Sequence, residues 1–126
     1  MICRLCPRNC GAARTADGGN GFCAMPAGLR VSRAALHHWE EPPISGTNGS
    51  GAVFFAGCTL RCTYCQNHTI SADGFGKDVT PQRLRTIFEE LIAQGAHNID
   101  LITPTHFLPW ILPALEPKLP VPLVYN

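Results

Sequence analysis

Gly51-Ala52-Val53-Phe54-Phe55-Ala56-Gly57 is followed at once by Cys58-Thr59-Leu60-Arg61-Cys62-Thr63-Tyr64-Cys65. The first run is short, apolar and rich in β-formers, which predicts a buried strand ending in glycine. The second places three thiols on the loop leaving the C-terminal end of that strand. In α/β proteins ligands bind at this end, because strand ends and helix starts converge there. One curl of the loop is enough to bring three such sulfurs together. Soft thiolates select zinc, Cu(I) or iron–sulfur clusters. A closed structural site takes four protein ligands, whereas three thiolates on a cubane leave one iron open. Ordinary core cysteines have no reason to cluster in a loop at this spacing.

Outward from the loop, the chain predicts an α/β order. Thr80 is a suitable N-cap and Pro81 a suitable first helical residue. Leu84, Ile87, Phe88, Leu91 and Ile92 then form one apolar stripe, and Gly95 ends the helix. Asn98–Ile102 reads as a second strand. Phe107–Leu115 has helical spacing, with Pro109 tolerable in a first turn and Pro113 expected to kink or end the helix. Pro120–Asn126 reads as a third strand. Strand, helix, strand, helix, strand predicts a parallel sheet with right-handed crossovers. Leu29–Leu36 alternates loosely, as an edge strand or hairpin arm. His37 and His38 are adjacent on a strand, point to opposite faces and so do not share a metal. With Trp39, Glu40 and Glu41 they are expected to pack or hydrogen-bond around the mouth of the site. Pro42-Pro43 predicts a stiff turn, Ser45–Gly51 a flexible loop and Ala72–Lys77 a mobile linker. The expected units are a cysteine-rich segment over 1–28, a strand and Gly/Pro linker over 29–50, and an α/β domain over 51–126.

The 126-residue chain suits one modest domain, with 45% apolar and 15% charged residues and a formal charge of +1. That balance gives no electrostatic case for nucleic acid or an acidic membrane surface. No run of eighteen apolar residues and no N-terminal signal pattern is present, so a cytoplasmic location is expected. Seven cysteines, an odd number at tight spacings, disfavour a disulfide framework. Cys3, Cys6, Cys10 and Cys23 lie in a segment with little apolar periodicity. A zinc or iron–sulfur site there would hold it together; the other reading leaves two or three of these thiols free.

Cys-x3-Cys-x2-Cys with an aromatic residue before the last cysteine resembles the signature of radical S-adenosylmethionine (SAM) enzymes. Trp39-Glu40-Glu41-Pro42-Pro43-Ile44-Ser45-Gly46, Gly49-Ser50-Gly51, Phe54-Phe55, Gly57-Cys58 and Cys65-Gln66-Asn67 narrow the resemblance to pyruvate formate-lyase activating enzyme homologues, from Cys3 to Asn126. The resemblance implies a [4Fe-4S] cluster on Cys58, Cys62 and Cys65, whose open iron chelates SAM. It further implies cleavage of SAM to a 5′-deoxyadenosyl radical that abstracts hydrogen, in some members from a glycyl-radical enzyme. A reductant such as flavodoxin or ferredoxin is the implied electron source. Tyr64 is expected near the adenine. The loop after the second strand often binds the SAM amino group through Gly-Gly-Glu; here it reads Thr103-Pro104-Thr105-His106. Thr103 and His106 are therefore the candidate contacts, His106 being alternatively a helix-start residue. The implied fold is a partial (β/α) barrel of about three units. A closed eight-unit barrel takes about 250 residues, so the chain is expected to be the first part of a larger protein. A zinc-binding module, with His68 as a fourth loop ligand, and a four-cysteine electron-transfer protein are the competing readings.

Overall fold

The computed structural model describes residues 1–38, 41–71 and 73–126. An N-terminal hairpin pairs β1 (Ile2–Cys3) with β2 (Ala12–Ala13). Then come β3 (Leu29–His37), α1 (Pro42–Ser45), β4 (Ser50–Phe55), α2 (His68–Ser71), β5 (Lys77–Val79), α3 (Pro81–Ala93) and β6 (Ile99–Ile102). A 3-10 turn at Thr105–Phe107 leads into α4 (Leu108–Ile111), a second 3-10 turn at Leu112–Leu115 and β7 (Leu123–Tyr125). The main sheet runs β5-β3-β4-β6-β7. The pairs β4–β6 and β6–β7 are parallel, whereas β3 is antiparallel to both β4 and β5. The fold is thus mixed α/β.

The three parallel strands are those the alternation of strands and helices predicts. The sheet as a whole is not parallel, because β3 returns on β4 as a hairpin arm. Nor is β3 an edge strand, since β5 pairs with its first residues, Leu29–Val31. Lys77, expected in a mobile linker, instead opens β5. The Arg30 guanidinium donates to Asp78 at 2.7 Å, directly opposite it in the register. Pro42-Pro43, expected as a stiff turn, instead opens one turn of helix that runs to Ser45, the first residue of the expected flexible loop. Ser50 and Gly51 of that loop already belong to β4. His37 pairs with Ser50 at the start of β4, while Val31 pairs with Phe55 at its end. His37 and the following His38 therefore lie at the end of the sheet away from the cysteine loop, not around its mouth. Trp39 and Glu40 of that reading, and Ala72 of the linker, lie outside the described residues.

β4 is buried along nearly its whole length, as a strand covered on both faces must be. α3 begins as expected: the Thr80 hydroxyl accepts from the Arg83 amide at 3.1 Å, and Leu84, Ile87, Phe88 and Leu91 are buried. Gly95, at φ +101, takes the left-handed conformation that ends the helix. The two prolines act as their chemistry requires. Pro109 sits in the first turn of α4, and the chain tightens into 3-10 geometry before Pro113. The core gathers Val53, Phe55, Leu84, Phe88, Ile99, Leu101, Phe107 and Ile111, and Met25 of the N-terminal segment joins it.

Candidate metal centre

β4 delivers the cysteine loop, and β6, lying parallel beside it, delivers Thr103–His106 at the same end of the sheet. Gly57 makes the exit from β4 possible. It adopts φ +74, and a Cβ there would stand 2.6 Å from Met25 Cγ. Only glycine meets both demands. Cys58 is buried, Cys65 half-buried and Cys62 exposed. The Cys58 sulfur accepts from the Leu60 amide at 3.3 Å, and the Cys65 sulfur lies 3.5 Å from the Ser71 hydroxyl at the end of α2. A tight turn, Cys65 amide to Cys62 carbonyl at 3.2 Å, joins the last two cysteines, and Arg61 takes a left-handed φ of +55. His68, at the start of α2, lies 3.7 Å from the Asp73 carboxylate.

The N-terminal segment packs directly against this loop. The Arg8 guanidinium donates to the Thr59 carbonyl and lies 3.5 Å over the Phe22 ring, and Arg61 of the loop lies 5.0 Å from the same ring. Cys3, Cys6, Cys10 and Cys23 line one small cavity together with Thr59 and His106. Among the described residues, no three Cys, His, Asp or Glu side chains are placed to hold one metal ion. That applies to both cysteine groups.

Arg14 is the residue that sequence reasoning missed. Only 2% exposed, it donates to the carbonyls of Met25 (3.1 Å), Pro26 (2.9 Å) and His106 (2.7 Å), and its Nη1 lies 3.7 Å from Cys3 Sγ. Its guanidinium also faces the Trp110 and Phe107 rings at 4.9 and 5.4 Å. A buried cation with several carbonyl acceptors and two ring faces is well compensated. Through it the cysteine-rich segment is fastened to the α/β domain.

The candidate cofactor contacts fall in different surroundings. Tyr64 is 89% exposed on the loop. Thr103 follows β6 at φ +57, and its amide donates to the Asn126 carbonyl. His106 is 1% exposed, with Nε2 at 2.7 Å from the Ala56 carbonyl and Nδ1 buried without a partner. Burial pushes its imidazole down to about 4; the hydrogen bond to Ala56 opposes this and the charge of Arg14 adds to it. The ring is therefore neutral near pH 7. Its single hydrogen is assigned to Nε2, because a carbonyl can only accept.

Residues 44–103 match the family model of a 4Fe-4S single cluster domain, and this range contains the whole cysteine loop. The match supports iron–sulfur binding. The chain is also 31% identical over 77 residues to an uncharacterized protein of Methanocaldococcus jannaschii, covering 61% of this chain and 21% of that one. It thus spans about a fifth of the length of that curated relative. No solved structure matches the chain. Among the described residues, no helix is long and apolar enough to cross a membrane.

Proposed function

We propose that Cys58, Cys62 and Cys65 hold a [4Fe-4S] cluster in a radical SAM protein of the pyruvate formate-lyase activating enzyme type, with a partial (β/α) barrel as its scaffold. The observation that carries this reading is the position of the three thiols. They occupy one loop at the C-terminal end of a buried parallel strand, within the range matched by the iron–sulfur family model. The donor chemistry fits, since three thiolates from one loop leave a coordination position for a small molecule. When bound, the cluster supplies one low-potential electron for reductive cleavage of SAM, whose product radical abstracts hydrogen from a substrate.

The chain's own residues then bind, orient and shield. Cys58 is fixed by the end of β4, and the Leu60 amide donates to its sulfur. The Ser71 hydroxyl stands beside the Cys65 sulfur, and hydrogen bonds to ligand sulfurs are one means of setting a cluster's potential. Cys62 and Tyr64, both exposed, leave that side of the loop accessible to a cofactor. Thr103 borders the same end of the sheet from β6. Under this reading the electron comes from a small reductant such as flavodoxin or ferredoxin. The hydrogen donor is a substrate of the radical, a glycyl-radical enzyme being the case the resemblance implies.

Anaerobic reconstitution with iron and sulfide, followed by EPR of the reduced protein with and without SAM, tests the proposal. A cubane signal whose g-values shift on adding SAM is expected, and Cys62→Ala is expected to abolish the SAM-dependent change. A cubane signal that SAM leaves unaltered would mean four protein ligands and an electron-transfer role. A colourless zinc form that takes up no iron would point to a binding module.

A further inference from the structure

The cysteines outside the loop form a second constellation that the iron–sulfur match, which begins at residue 44, leaves unaccounted for. Cys3, Cys6, Cys10 and Cys23 line one cavity, and His106 reaches it from the 3-10 turn that follows β6. The imidazole presents the arrangement that metal-binding histidines show. One ring nitrogen is hydrogen-bonded to a backbone carbonyl, which fixes the tautomer, and the other keeps a free lone pair. Here Nε2 meets the Ala56 carbonyl at 2.7 Å and Nδ1 is buried with no partner. A buried acceptor left unmatched is costly, so this orientation needs a reason. A hydrogen bond from a backbone amide or a serine would satisfy Nδ1, yet none is present among the described residues.

We propose that Cys3, Cys6, Cys23 and His106 Nδ1 form a structural zinc site that joins the N-terminal segment to the α/β domain. Of the four thiols, Cys3 is buried and Cys6 and Cys23 are half-buried, while Cys10 is exposed and stays outside the closed set. Closed sites with three sulfurs and one nitrogen are a standard tetrahedral solution for zinc. Two outer contacts are already built: the Ala56 carbonyl behind the imidazole, and the Arg14 guanidinium, whose Nη1 lies 3.7 Å from Cys3 Sγ. The cavity is small, which suits a single ion better than a cubane. Among the described residues no three of these side chains converge on one ion, so binding requires them to move together. Because the first 26 residues contribute little to the core beyond Met25, the ion's binding energy becomes folding energy for this segment.

The test uses the full chain carrying Cys58→Ser, Cys62→Ser and Cys65→Ser, so that the loop cannot contribute. The protein is expressed with zinc and analysed for metal content and by zinc X-ray absorption. One zinc per chain is expected, with three sulfurs at about 2.3 Å and one imidazole nitrogen at about 2.0–2.1 Å. Adding Cys10→Ser should leave the zinc in place, whereas adding Cys3→Ser should lose it. His106→Gln should weaken zinc binding at least tenfold and remove the imidazole scattering. Since a change at so buried a residue risks misfolding, the spectrum of the protein with His106 intact is the deciding reading. A shell of four sulfurs, an iron cluster at these cysteines, or no bound zinc would overturn the proposal. None of these results depends on whether the loop binds iron, so failure here is distinguishable from failure of the radical SAM reading.

Discussion

Arg14 carries more structural consequence than any other single side chain in the N-terminal segment. Replacing it with methionine keeps much of the bulk against Trp110 and Phe107 but strips the hydrogen bonds from the carbonyls of Met25, Pro26 and His106. The expected loss is on the order of 3 kcal/mol, since each buried acceptor left without a donor costs about 1–3 kcal/mol and partial relaxation recovers some of it. Urea denaturation measures that loss, and limited proteolysis should show cleavage concentrated before Leu29. Arg14→Lys should rescue little, because one ammonium cannot reproduce a planar fork that serves several carbonyls. Nothing in the sequence marks Arg14 for this role. It stands between Ala13 and Thr15 in a run with no apolar period, and its partners are distant carbonyls, which no side-chain pattern records. The loop cysteines stand out in the sequence for the opposite reason: the chemistry proposed for them rests on residue type and spacing within eight consecutive positions.

At the scale of elements, legibility follows the strength of local signals. α3 combines a cap, a proline start, a five-residue stripe and a glycine stop, and the structure forms it within those limits. Thr80→Ala is expected to cost about 1 kcal/mol by removing the acceptor for the Arg83 amide, measurable as a lowered urea midpoint with an unchanged m-value. β5 shows the reverse case. Lys77-Asp78-Val79 is too short and too polar to announce itself, and it becomes a strand only because Leu29–Val31 offers an edge and Arg30 meets Asp78 across it. The antiparallel placement of β3 was likewise open in the sequence. Loose alternation over Leu29–Leu36 fixes the element type but not its partner or direction. His37 and His38 reach the end away from the cysteine loop for the same reason: strand direction, which the alternation does not record, decides which end of the sheet they occupy.

At the scale of the whole molecule, two cysteine groups meet at one end of a mixed sheet. The loop after β4 supplies one group and the N-terminal hairpin segment the other, with Arg8 bonded to the Thr59 carbonyl between them. The central claim is that the loop thiols hold a four-iron cluster. Its most direct measurement is the iron and sulfide content, with the Mössbauer spectrum, of the anaerobically reconstituted chain and of the Cys58→Ser/Cys62→Ser/Cys65→Ser variant. The account predicts a cubane spectrum with about four irons per chain in the first protein and none in the second. A variant that keeps its iron, or a parent chain that binds none, would contradict it.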